Sequence, residues 1–151
     1  MKKSGFKTLA LAAGIILAFA GKANAAAIGY IDYGKVQENY PLAQQAIKEI
    51  DAKSLELQQY MVDKEKQYKA LDTPLKKQNF EEMTSREFKA KQEALAKLKM
   101  QKDELVYNKI QAATRQVLVE QKLDAILDYR VIFVGGVDVS DQVIQKLKLM
   151  K

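Results

Sequence analysis

The chain of 151 residues carries 25 Lys and Arg against 19 Asp and Glu, with no His, Cys or Trp. That length suits one domain. The missing His and Cys exclude Ser-His-Asp and Cys-His catalysis, thiol nucleophiles, disulfides and zinc sites built on those residues, and leave nothing to lipidate in the manner of a bacterial lipoprotein.

The chain opens on a basic stretch with Lys2, Lys3 and Lys7, followed by an unbroken apolar run over residues 9–20 and then Ala23-Asn24-Ala25. This is the order of a secretory leader cleaved after Ala25. The apolar run is too short for a membrane span, which needs about 20 residues. Cleavage removes Lys2, Lys3, Lys7 and Lys22 and no acid, so the formal +6 falls to +2. Net charge of the exported chain therefore gives no argument for nucleic-acid binding. Without Cys, stability in an oxidising compartment must come from packing or assembly.

After Gly34 no glycine occurs until Gly135, and only Pro41 and Pro74 interrupt. The spacing predicts two long helices folded back on each other, near residues 42–72 and 85–121, broken at Pro74 and restarted from a cap at Thr84 or Ser85. The first carries a heptad seam of Ala43, Ile47, Ile50, Ser54, Leu57, Met61, Lys64, Tyr68 and Leu71. The second begins Phe88, Lys91, Leu95, Leu98, Lys102, then shifts by four to Val106, Ile110, Ala113 and Val117, a stutter. Lys64, Lys91 and Lys102 either weaken the seam or lay their stems along apolar surface.

Strand signals flank the helices. Residues 28–32 alternate loosely, residues 130–134 form a continuous β-branched and aromatic run, and residues 125–127 offer a third strand. Gly135-Gly136 reads as the end of the sheet. A last helix follows Asp138 or Ser140, with Val143, Ile144, Leu147 and Met150 on one face. The whole is α+β and mostly α, a long antiparallel helical hairpin on a small β body. One domain spans residues 26–151, with the body at 26–42 and 118–151 and the arm at 43–117. So few strands do not bury a self-sufficient core, and their open edges invite aggregation. Several copies pooling strands would solve both problems, with Ile28, Tyr30, Ile31, Ile126, Val131, Ile132, Phe133 and Val134 as the oligomerisation residues.

Charge is segregated. Residues 64–102 hold eleven positive and six negative side chains, net +5, leaving −3 for the rest of the exported chain. Candidate client-binding residues on the arm, in and beside this basic stretch, are Tyr60, Met61, Lys64, Tyr68, Lys76, Lys77, Phe80, Met83, Arg86, Phe88 and Lys89. Thioethers and rings beside cationic arms suit adaptable contact with varied chains. The competing view is a solvated helix face with seam packing. No nucleic-acid motif is present. A helix lying on a membrane surface is a second option, giving transient contact there, but the seam is narrower than such helices show. No phosphate loop, metal set or catalytic cluster emerges. Glu81 and Glu82 point to different helix faces, Asp138 and Asp141 read as first-turn charges, and Asp32, after the first strand, reads as a strand-end cap. No cofactor is expected.

The pieces resemble the Skp/OmpH-type periplasmic chaperones. The resemblance rests on Ile28-Gly29-Tyr30-Ile31-Asp32 with Lys35-Val36, on the Tyr40-Pro41 step, on Leu123-Asp124-Ala125-Ile126-Leu127-Asp128 and on Val131-Ile132-Phe133-Val134. Asp138-Val139-Ser140-Asp141-Gln142-Val143-Ile144 completes it. It implies a homotrimer with a barrel-like body and three arms. Unfolded outer-membrane proteins would be its clients, held between the arms without ATP and kept from aggregating before insertion. The rival function is a structural coiled coil that spaces or tethers envelope layers.

Overall fold

The computed structural model describes residues 26–150, so the expected leader lies outside the described residues. In chain order the elements are β1 (Ile28–Ile31), α1 (Tyr33–Glu38), α2 (Pro41–Lys69), α3 (Pro74–Glu120), β2 (Ala125–Asp128), a single 3-10 turn (Tyr129–Val131), β3 (Val137–Asp138) and α4 (Ser140–Leu149). This is the α+β, mostly helical architecture expected. Helix α1 was not foreseen. Its start is set by Asp32, whose carboxylate accepts from the Lys35 N–H at 3.0 Å, so Asp32, expected to cap the end of a strand, caps a helix instead.

Proline places both long helices. Tyr40 and Thr73 are extended, as residues before proline prefer, and Pro41 and Pro74 occupy the first turns of α2 and α3. The expected restart at Thr84 or Ser85 is therefore corrected. Helix α3 begins at Pro74, where the missing N–H costs nothing, and the Thr73 hydroxyl accepts from the Lys76 N–H at 3.3 Å. With 47 residues α3 is about 70 Å long, against about 43 Å for the 29 residues of α2. Helix α3 ends in a Schellman motif. The Leu123 N–H reaches the Leu118 carbonyl at 3.0 Å, that of Lys122 reaches Val119 at 3.2 Å, and Lys122 takes φ 54°.

The three strands are all parallel, in the order β2-β1-β3, with Ile28 opposite Ala125 and Gly29 opposite Val137. The whole helical hairpin is thus the crossover between β1 and β2. At Gly29 an added Cβ would stand 2.7 Å from Leu123 Cδ1, so a larger residue there requires the Leu123 side chain to shift.

Two strand expectations are corrected. Residues 130–134 are not a strand, because the Asp128 carboxylate accepts from the Arg130 N–H at 2.9 Å and holds its guanidinium at 2.8 Å, turning the chain out of the sheet. The apolar run that follows has no ladder to join. Gly135-Gly136 does not end the sheet. Both glycines have positive φ, 85° and 86°, and lead into β3.

The expectation that one copy lacks a core also needs correction. The roots of the long helices supply what the strands do not. Ala43, Ala46, Val106, Ile110, Ala113 and Val117 join Val36 and Tyr40, Val139 just before α4, Val143, Ile144 and Leu147 of α4, and Ile31 and Leu123 in one buried cluster. Ser140 ties α4 to the strands. Its buried hydroxyl accepts from the Asp32 N–H at 2.9 Å and donates to Asp138 at 2.6 Å, and its own N–H donates to the same carboxylate. Asp138 therefore sits in β3, bonded to the start of α4, and only Asp141 lies in the first helical turn.

Candidate functional site

Along the arm the seam departs from strict heptads. Ile47 is 52% exposed and Met61 is 41% exposed, while Ala46 is buried and Tyr60 half-buried in their place. A helix of 3.6 residues per turn drifts across a 3.5 repeat, so alternate neighbours take over the contact. The three seam lysines are not idle. Lys102 pairs with Glu49, and Lys64 reaches Glu87 at 3.1 Å. Lys91 lies 5.0 Å above the Tyr60 ring.

A polar and aromatic cluster that joins the two long helices lies on the distal arm. Tyr60 donates its hydroxyl to Glu87 at 2.6 Å, and Lys64 sits over both Tyr60 and Phe80, at 5.2 and 5.4 Å. Burial first, then the bond to Glu87, push the Tyr60 phenol up to about 12. The same hydrogen bond, followed by Lys64, holds the Glu87 carboxyl below its ordinary value. Nearer the tip Tyr68 and Phe80 lie 6.4 Å apart, and Lys77 sits 5.4 Å over the Tyr68 ring. Tyr68 is also raised by a hydrogen bond to Glu81.

Between these groups runs an open groove of about 590 Å³, lined chiefly by Met61, Val62, Tyr68, Phe80, Thr84 and Phe88, with Lys64, Glu65, Glu81 and Ser85 at its edges. Of the residues singled out by sequence, Met61, Lys64, Tyr68, Phe80 and Phe88 meet in this groove, with Tyr60 and Lys77 beside it. Four do not. Lys76 pairs with Asp72 across the turn at 2.9 Å, Arg86 leans back along α3 to Glu82, and Met83 and Lys89 are exposed away from the groove. Sequence reasoning missed Val62, Thr84 and Glu87. Val62 had a signal: Ile47, Leu55 and Val62, at spacings of eight and seven, form a second exposed apolar line on α2. Glu87 had none, since its partners lie on the other helix.

On the body, Ile31 is buried and Ile126 packs against the chain's own core, so neither faces outward. Tyr30 and Ile132 are half-buried, Ile28 and Val131 exposed, and Phe133 and Val134 almost wholly so. Among the described residues no group of acidic side chains could hold a metal ion. No helix of those residues is long and apolar enough to cross a membrane.

The fold is a long helical hairpin rooted in a small parallel-sheet body, with rings from both helices and a lysine meeting in a groove on its far half. The family model described as outer membrane protein (OmpH-like) matches residues 27–147, and the chain belongs to that family. This is the Skp/OmpH family that the sequence resembles, a family of chaperones and not of enzymes. No curated protein matches the chain. Among solved structures, a proposed outer membrane chaperone (OmpH-like) from Caulobacter crescentus CB15 superposes with a TM-score of 0.53 at 13% identity. The match covers 83% of this chain and 85% of that one. At that identity the likeness concerns the fold alone.

Proposed function

We propose that this protein is an ATP-independent holdase that binds unfolded outer-membrane proteins between helical arms and keeps them from aggregating before insertion. Family membership supports a chaperone role. The finer reading is carried by one observation: the far half of the arm leaves its rings half-buried and its thioethers and most lysine heads at the surface instead of closing them into a dry seam. An unfolded barrel strand exposes alternating apolar residues and unpaired edges, and many weak, adaptable contacts suit its capture and release.

The working unit in this reading is a periplasmic homotrimer, formed after removal of residues 1–25. Its body comprises residues 26–42 and 118–151 and its arm residues 43–117. The exposed Ile28, Val131, Phe133 and Val134 beside a sheet with open edges support assembly, because an apolar patch of this kind is a liability until another copy covers it. Native mass measurement should give three copies, and Phe133→Asp should dissociate them; a wild-type monomer at micromolar concentration overturns this part.

The functional test is dilution of a urea-unfolded outer-membrane barrel into the protein without nucleotide. Light scattering should stay low at stoichiometric ratio, and scattering equal to a protein-free control refutes the proposal. Charge reversal at Lys76, Lys77 and Lys89 should weaken capture more at low than at high salt.

A further inference from the structure

We propose that the distal groove is a discrete anchor for one aromatic side chain of an unfolded outer-membrane strand. It would favour tyrosine and tryptophan over phenylalanine, and acidic over basic flanking residues. The inference rests on the chaperone reading above and names what that surface selects.

At about 590 Å³ the open groove has room for one large side chain and its neighbours. Its walls are the wrong chemistry for a purely aliphatic guest. Three rings, Tyr68, Phe80 and Phe88, and the Met61 thioether face one opening, and both groups gain specifically from an added ring, by edge or offset packing and by sulfur contact. Lys64 and Lys77 already sit over rings there, so cations are in place to lie against another.

Thr84 supplies the second selectivity. It is one helical turn from both Phe80 and Phe88 on the same face of α3. Its hydroxyl is shut off from water and has no hydrogen-bond partner, although the Phe80 carbonyl one turn back is the usual one. A phenol or an indole N–H inserted as the two rings part supplies that partner; a phenylalanine ring does not.

Charge decides between occupants. The groove's own charges are mixed, Lys64 against Glu65 and Glu81, so the choice rests on the arm around it: with +5 net over residues 64–102, the tip of a second copy is repelled, whereas acidic residues that flank the bound ring and lie outside the groove are attracted. Outer-membrane strands meet the requirement for a ring, since barrels carry aromatic girdles at both interfaces.

The chain has no tryptophan, so the emission of a single-tryptophan peptide reports the bound ring without background. A short synthetic peptide with tryptophan between aspartates should show a saturable blue shift with the wild-type protein. The leucine version should compete at least about tenfold more weakly. Val62→Glu, at a position 46% exposed, should abolish the shift while helicity by circular dichroism stays unchanged; Met100→Ala, outside the groove, should leave it intact. In wild type a tyrosine peptide should outcompete its phenylalanine counterpart by about threefold, and Thr84→Val should erase that preference. Leucine competing as well as tryptophan, an undiminished shift in Val62→Glu, or binding to anionic vesicles that the peptide does not displace overturns the anchor. A tyrosine preference that survives Thr84→Val overturns the role of the hydroxyl. Protection of an unfolded barrel separates the two readings. A wild type that protects the barrel yet ignores the peptide loses the anchor and keeps the holdase, and one that binds the peptide without protecting the barrel does the reverse.

Discussion

The two halves of the arm are built on opposite plans. Toward the body the seam is dry and made of small or branched residues: Ala43 and Ala46 of α2 share a buried cluster with Val106, Ile110 and Ala113 of α3. Beyond it, no arm residue between Ile50 and Leu105 is fully buried. The helices there are joined by Glu49 with Lys102, by the Tyr60, Lys64, Glu87 and Lys91 cluster, and by rings at the tip. Apolar burial scales with area and changes little with salt or pH. Half-exposed charge pairs and cation–π contacts are weak and respond to both. The contrast teaches that the root carries stability and the far half is held by bonds that open readily, which is where local unfolding is expected.

The largest effect should come from breaking the root. Ile110 is 2% exposed, and Ile110→Ala should cost about 2–5 kcal/mol through lost transfer energy and a residual cavity, read as a lower midpoint in urea unfolding. Phe88→Ala, on the half-exposed distal face, should cost clearly less, and equal losses would break the comparison. Next in size, Ser140→Ala should cost about 1–3 kcal/mol, because the Asp32 N–H loses its partner inside the body.

Smaller and confined to the far half is the effect of Glu87→Gln. It removes the charge that holds Lys64, so amides near Tyr60 and Lys64 should exchange faster while the global midpoint stays in place. Acid should do the same. Glu87 has a lowered folded-state value, so its stabilisation is present above the ordinary carboxylate range and is lost as pH falls below it. At the other extreme Tyr60 is raised from 10.0 to about 12, so its contribution is whole below pH 10.0 and disappears as pH rises toward about 12. Hydrogen exchange across both ranges checks the two signs, and equal loosening of root and tip would contradict the division. The smallest expected change is a gain. Lys122→Gly relieves a left-handed backbone at the end of α3 and should stabilise by about 0.5–1 kcal/mol in the same urea assay.

Much of this was legible before any coordinates. The absence of glycine over a hundred residues, Pro41 and Pro74, and the apolar periodicity foretold the hairpin. What misled was local strength without context. Residues 131–134 have every preference for a strand, yet strand preference is realised only against a neighbour, and Asp128 with Arg130 diverts the chain first. Pro74 reads locally as a breaker, whereas its place in the first turn of α3 makes it a starter. Within the candidate groove, Tyr68, Phe80 and Phe88 stood out by type, whereas Thr84 and Glu87 looked ordinary. Their significance comes from the facing helix, which no spacing within one helix reveals.

The sequence by itself determined the layout of the two long helices, the break between them, the basic far end and the lack of histidine or thiol chemistry, because these follow from composition, periodicity and backbone restriction within short windows. Only the tertiary structure decided that the sheet is wholly parallel with β1 at its centre, that the helix roots form the core, and that rings from both helices meet in one groove. Those outcomes depend on contacts between residues far apart in the chain, where register and packing, and not local preference, select the partner.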